Sequence, residues 1–539
     1  MKSVTILTIA AMAMAAATGC SHDTPTPSPE PPVKGGEFNE FGFTTTAPVT
    51  LSVDYGDMAG MPANVYFEVY DTCPVEETET AYAKIAGVEP LYAGYTDGQG
   101  RFEGTIELPA YIRKAYVLTP AFYARTLLEA TRSGDMLTAS AESGAPANAA
   151  PASTRAKEYH STAVERDGWK TWLGSYDTTY GSIGYEYDGD LKVKNYGALL
   201  KAHASVFDTT KKCPKEYRSS RDLYLEKSAE VVITLLGSNT CWNSSMGYYY
   251  YKTGNKPKSL ADANVVMIFP NTQDGRWSNS PWESRLYQGV ERGTAVQLIY
   301  YPEIADGSKA GATTVFPADY RIGFVLATNA WTNRLRAGDK KYRAATSDGL
   351  SVNNNGVAYQ TPRTAVFRYT DKKSGINSVL FSFEDHTNDE NFSDVVFTMT
   401  SNPVDAVTDI PSVDVNDGKK TANVLRGIYA FEDLWPSRGD YDMNDVMVRS
   451  DYEKVFNEKG VFEESFMLKT FANFAGNANG LAVTLTGAAA DAKLEFSVRK
   501  PGAETFEAAD FERDGKVVLL TPDVKETMGA TYRITAKYD

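Results

Sequence analysis

Histidine is scarce in this chain: His22, His160, His203 and His386 are the only four in 539 residues, and no two stand at metal-ligand spacing. Zinc centres are built from His and Cys at short spacings, so zinc chemistry has no support. Basic blocks are missing too. Lysine and arginine number 54 against 69 acids, a net charge of −15, which leaves no electrostatic footprint for nucleic acid. Beyond residue 20 no run is apolar enough to span a bilayer. The G-x-S-x-G elbow, the phosphate loop and the dinucleotide fingerprint do not occur, and the commonest hydrolase and nucleotide chemistries go with them.

Cysteine is the last scarcity, with four residues. Cys20 follows Ala17-Thr18-Gly19 at the end of a short apolar run, Val4 to Ala17, preceded by Lys2. This reads as a lipobox: residues 1–20 are expected to be a lipoprotein signal, cleaved so that Cys20 carries the lipid. Residues 21–36 contain a Pro-rich tether, Thr24 to Pro32, of extended stiffness. A soluble body anchored by lipid to the outer membrane, facing the cell surface, is the expected arrangement. Of the remaining cysteines, Cys73, Cys213 and Cys241, a Cys213–Cys241 bridge and buried thiols are both open readings.

What the chain has in abundance is tyrosine, 33 residues, within an aromatic share of 12%. Helix-type heptads are few, and such a composition packs on pleated faces. The expected fold is all-β: several antiparallel β-sandwich or jelly-roll domains in tandem. Pro48 to Tyr55 and Asn64 to Tyr70 alternate apolar and polar residues as half-buried strands do, and Asp97-Gly98-Gln99-Gly100 reads as a tight turn before a strand from Glu103 to Leu108. These place an N-terminal sandwich at 37–132. The Ala/Ser/Pro-rich segment 133–158 is expected to be a linker. Strands at Ala229 to Leu236, Val265 to Pro270, Ala295 to Tyr301 and Tyr320 to Ala327 belong to a central sandwich at 159–401, and a last β domain occupies 402–539.

One acidic signature occurs twice. FEDHTNDENFSDVVF runs from Phe383 to Phe397, and FEDLWPSRGDYDMNDVMV from Phe431 to Val448. Asp389, Asn391 and Asp394 line up with Asp440, Asp442 and Asp445, and Ser393 with Asn444. Oxygen-only ligand sets of this kind suit Ca²⁺. The candidate ligands are Glu384, Asp385, Asp389, Asn391 and Asp394 in one copy, and Glu432, Asp433, Asp440, Asp442, Asn444 and Asp445 in the other. An EF-hand is excluded, because Asp445 stands where its glycine belongs and a strand follows. The bland reading is Asx turns at strand ends. Paired acids also evoke a glycan-degrading enzyme, with Trp435 as a stacking ring. However, adjacent Glu-Asp in a strand point to opposite faces, which argues against two opposed carboxyls across one bond. Trp242 and Tyr248 to Tyr251 form a weaker candidate platform for a sugar, with burial in the core as the plainer reading.

The run Leu236 to Tyr251, the segment Phe316-Pro317 with Arg321 to Leu326, and the two Phe-Glu-Asp motifs together resemble the LruC-domain lipoproteins of Gram-negative, Bacteroides-like bacteria. The copy from Phe431 to Asp445 matches the family's FED head and D-x-D-x-N-D tail; that from Phe383 to Asp394 departs at Glu390 to Ser393. The resemblance implies a lipid-anchored all-β envelope protein with two domains of uncharacterised function, and it supplies no enzymatic activity to expect. It also implies a C-terminal domain that usually continues further, so an unpaired final strand at TYRITAKYD is expected to seek a partner. The function expected from all this is non-catalytic, adhesin-like binding of a glycan or protein partner, with Ca²⁺ stiffening the acidic loops. A glycan-degrading enzyme and a pilus or envelope-scaffold subunit are the alternatives.

Overall fold

A computed structural model describes residues 45–56, 64–77, 82–141, 159–160, 169–177, 181–194, 196–240, 242–273, 289–331, 343–353, 355–371, 376–385, 389–412, 419–433, 442–485 and 492–538. They form several β-sheets in tandem with one α-helix. Among them no helix is long and apolar enough to cross a membrane.

The N-terminal sheet follows from alternation. In Thr46–Asp54 the side chains of Val49, Leu51 and Val53 are buried and their neighbours are not, as a period of two requires. This strand pairs antiparallel with Arg101–Pro109 and parallel with Met136–Ser140. The seven strands run in the order Tyr92–Tyr95, Tyr66–Tyr70, Lys114–Leu118, Leu127–Ser133, Met136–Ser140, Thr46–Asp54, Arg101–Pro109. Phe67 of the second and Phe102 of the last nevertheless meet at 5.1 Å between ring centroids, so the sheet folds over on itself around one core. The Asp97 turn is an Asx turn, its Oδ1 accepting from the backbone N–H groups of Gln99 at 2.8 Å and Arg101 at 3.0 Å. The unit also extends past the expected boundary at 132. Gly134, at φ +62°, turns the chain back, and Met136–Ser140 pairs with Leu127–Ser133. The linker therefore does not begin before residue 141; its remainder, 142–158, lies outside the described residues.

The central unit is a sandwich. One sheet runs Trp169–Trp172, Val265–Phe269, Ser245–Lys252, Tyr320–Ala327, Leu223–Leu225, Val407–Thr408, and the other Ala295–Gln297, Ala229–Ser238, Val395–Asn402, Ile376–Phe383, Thr364–Asp371. Phe324 of the first sheet packs on Phe381 at 5.1 Å and Phe397 at 5.0 Å of the second. The strand Val407–Thr408 carries this unit beyond the expected end at 401. All four residues of the tyrosine run are anchored: Tyr248 and Tyr250 donate to the carbonyls of Ile299 and Tyr301, Tyr249 to Ser347 Oγ, and Tyr251 to Asp222 Oδ2. Cys213 is a free, buried thiol, its pKa pushed up to about 12 by burial; Cys241, its partner in the open bridge reading, lies outside the described residues.

The helix Tyr196–Val206 was not expected from the sequence. It buries Leu199 and Leu200, and its His203 stacks on Phe207 at 4.5 Å and meets Phe122 of the N-terminal unit at 4.6 Å. Burial holds the imidazole down at about 3, hence neutral at physiological pH, and its Nε2 lies 3.0 Å from Ser382 Oγ. The helix thus joins the N-terminal core to the central sheet.

The last unit has a six-stranded sheet, Lys420–Phe431, Val446–Asn457, Gly460–Ala472, Thr531–Lys537, Lys493–Arg499, Glu507–Ala508, with a smaller one of Leu481–Thr484, Val517–Thr521 and Glu512–Asp514. The final strand is interior, paired with both Gly460–Ala472 and Lys493–Arg499, which corrects the expectation of an unpaired terminal edge. This unit touches the N-terminal one through Tyr66, Ala93, Ala422 and Phe456.

Lys454 crosses that contact. It donates to the carbonyl of Ala93 and lies 4.6 Å from the Tyr92 ring centroid and 4.4 Å from that of Phe456. Burial lowers its pKa to about 8, opposed by the Glu464 carboxylate. Between that value and the ordinary one near 10.5, the unfolded chain binds the proton that the folded chain has released, so stability from this group rises with pH across that window. Wild type minus Lys454→Met, measured by urea unfolding at pH 7 and pH 10, should show that rise. An unchanged difference at the two pH values would remove the basis for it.

Candidate cation sites at two acidic hairpin loops

Each acidic motif links two adjacent antiparallel strands. Phe383 pairs with Val395 across one loop, and Phe431 with Val446 across the other. Strand pairing therefore brings the FED head and the terminal aspartate of each motif together.

The two loops share one hydrogen-bond scaffold. Asp394 Oδ2 accepts from the Asp385 N–H at 2.5 Å, and Asp445 Oδ2 from the Asp433 N–H at 2.8 Å. Glu384 Oε2 accepts from the Phe392 N–H at 3.1 Å, and Glu432 Oε2 from the Met443 N–H at 3.3 Å. Asn391 Oδ1 accepts from the Ser393 N–H at 2.7 Å, and Asp442 Oδ1 from the Asn444 N–H at 3.3 Å. Phe392 and Met443, equivalent in the repeat, are both left-handed, at φ +59° and +55°. That conformation is costly for a residue with a side chain, and its recurrence marks the loops as copies of one device. The Asx turns of the bland reading are real, but they form only part of it.

The first loop is closed. Glu384 is 1% exposed, Asp385 4%, Asn391 1%, Ser393 0% and Asp394 3%. Oxygens of Glu384, Asp389 and Asp394 lie within 4.8 Å of one another. Arg363 is the buried cation beside them, its Nη2 at 3.3 Å from Glu384 Oε1. Among the described residues neither Glu384 Oε1 nor Ser393 Oγ has a hydrogen-bond partner. Asp385 turns aside, accepting from Thr240 Oγ1, and the Asn391 amide donates to Thr209 O at 3.0 Å and Asp389 Oδ2 at 2.8 Å. Burial raises all four carboxyls, Asp385 up to about 7 and Glu384, Asp389 and Asp394 upward as well, and repulsion from neighbouring acids adds to it at Glu384, Asp385 and Asp394. One guanidinium does not offset four carboxylates in so dry a place.

The second loop is more open. Glu432, Asp433 and Asp445 are half-buried, and their oxygens again lie within 4.8 Å of one another. Both Glu432 and Asp433 thus contribute, which corrects the expectation that they face apart: the strand ends at Phe431, so its alternation no longer applies. The amide of Asn477 donates to Asp433 Oδ2 at 3.0 Å. Asp442 accepts from the Asn444 amide and stands outside the cluster of three. Asp440 and Trp435 lie outside the described residues. Trp242 is half-buried, and its backbone N–H donates to Thr240 Oγ1 at 3.1 Å, the hydroxyl that donates to Asp385.

Sequence reasoning missed Arg363, Thr209, Thr240 and Asn477. No local pattern marks them, because the fold recruits each from a distant segment. In both loops the donor set is oxygen only. Ca²⁺ takes oxygens at about 2.3–2.6 Å, so ligands on opposite sides of one ion stand about as far apart as these carboxylates do.

The fold and loops define a class: a tandem all-β chain with paired acidic hairpin loops. Residues 47–141 match a family model described as Domain of unknown function (DUF8469), and residues 316–402 match Domain of unknown function (DUF4114). The first covers the N-terminal sheet; the second includes Arg363 and the whole first acidic loop. No curated protein and no solved structure matched the chain.

Proposed function

We propose that the chain is a non-catalytic, lipid-anchored outer-membrane protein of the LruC-domain type that binds a glycan or protein partner, with Ca²⁺ holding its acidic loops. The observation that carries the ion reading is the buried loop, where Glu384, Asp389 and Asp394 converge and, among the described residues, Glu384 Oε1 and Ser393 Oγ lack hydrogen-bond partners. A hard cation there would be held by these carboxylates and would supply the missing positive charge. The geometry ranks this copy above the C-terminal one, the reverse of what motif matching suggests, because burial makes the demand for a cation stronger. The second copy would exchange its ion more readily, being nearer to water.

Calorimetric titration of the full chain with Ca²⁺ should show two classes of binding. Glu384→Gln with Asp394→Asn removes one, and Asp433→Asn with Asp445→Asn the other. A flat titration of the wild-type protein at millimolar Ca²⁺ would sink the ion reading.

A further inference from the structure

The central sandwich holds a cleft of about 350 Å³ where its two sheets part. Val379 and Met399 line it from one sheet and Val407 from the other. The segment 190–194 closes one side, with Thr400 Oγ1 donating to Leu191 O at 2.7 Å. Among the described lining residues Lys192, Lys194 and Arg368 are cationic, and Asp190 is the one acid. This reverses the balance of the chain as a whole, where acids exceed bases by 69 to 54.

The cations differ in kind. Arg368 is held in place, Nη1 donating to Asn377 Oδ1 at 2.7 Å and Nη2 to Val407 O at 2.8 Å. Lys192 pairs at 3.2 Å with Asp188, whose side chain is 92% exposed; such a pair is worth little and yields readily to a stronger anion. We propose that this cleft binds an acidic saccharide, a sugar carrying a carboxylate or sulfate. The Val379, Met399 and Val407 floor suits the C–H face of a sugar ring, and the amide of Asn377 and hydroxyl of Thr400 suit its hydroxyls. The cations take its anionic group. The volume falls within the range of small-ligand sites, about 300–1,000 Å³. The inference rests on the binding role proposed above, not on the cation loops.

The test is calorimetry of the full chain in Ca²⁺ buffer with three probes: a glucuronate-bearing disaccharide, its neutral glucose counterpart and a tetra-aspartate peptide. The acidic disaccharide should bind at least about tenfold tighter than the neutral one. K192E/K194E should weaken it by a similar factor and leave the melting temperature and the Ca²⁺ heat unchanged. The milder K192Q/K194Q serves if charge reversal disturbs the fold. Silence with all three probes, equal binding of the neutral sugar, or binding indifferent to the lysine changes overturns the proposal. Preference for the peptide overturns it too, and assigns the cleft to an acidic protein segment. A missing Ca²⁺ heat counts against the loops alone, so the two readings fail separately.

Discussion

Replacing Arg363 with methionine should lower unfolding stability in saturating Ca²⁺, where Glu384 has given up its proton, by about 3–5 kcal/mol, the usual cost of stripping one partner from a buried ion pair. Arg363 is 1% exposed and Glu384 likewise, with 3.3 Å between Nη2 and Oε1. Methionine fills much of the volume, so the loss reports charge more than a cavity. The control is Arg426→Met, which breaks an ion pair with Asp451 at 3.0 Å where the arginine is 41% exposed. Solvent screening limits such a pair to about 0–1 kcal/mol. Urea unfolding followed by circular dichroism compares the two. Equal losses would show that Arg363 does not neutralise the acidic loop.

The second large effect is the dependence of stability on Ca²⁺ and pH together. The ion-free folded chain keeps protons on Glu384, Asp385, Asp389 and Asp394 that the unfolded chain has lost above about pH 4. Where the folded state binds more protons, stability falls as pH rises. The fall should begin near the ordinary carboxyl range and continue through about 7, where Asp385 titrates. Bound Ca²⁺ replaces those protons and removes the fall. Thermal scans should therefore show little gain from Ca²⁺ at pH 5 and a large one at pH 7.5. At a hundred times Kd, one site is worth about 2.7 kcal/mol, or roughly 5–10 °C for a unit of this size. Asp394→Asn should abolish the part of that gain due to the buried loop. A Ca²⁺ gain that is the same at both pH values would show that these carboxyls are not the ligands.

The strands were legible wherever one stretch carried both period and burial. YRIGFVLA forms the strand Tyr320–Ala327, since a run with apolar residues on both faces suits a strand buried on both sides. In AVQLIYY the strand itself is Ala295–Gln297, and Tyr300 makes an isolated bridge with Thr313 instead, although the residue types continue. The helix at Tyr196–Val206 escaped because its eleven residues, YGALLKAHASV, are few and carry Gly197 near their start, a run whose period alone does not separate helix from strand. In the acidic loops the carboxylates were legible as a repeat, and their convergence follows from the hairpins that flank them. Their burial was not legible. Nothing in FEDHTNDENFSD indicates that Glu384 and Asp394 are within the protein while Glu432 and Asp433 meet water.

Composition and local pattern, by themselves, determined that this protein is all-β and that one acidic, Phe-Glu-Asp-headed motif occurs twice in it. Both are short-range properties: a side-chain period of two, and a motif that recurs with its spacing. Only the tertiary structure decided which loop is sealed, that Arg363 is sealed in with it, and that three cations line one cleft of an acidic molecule. The cost of a charge depends on the dielectric around it, and that dielectric is set by segments far away in the chain.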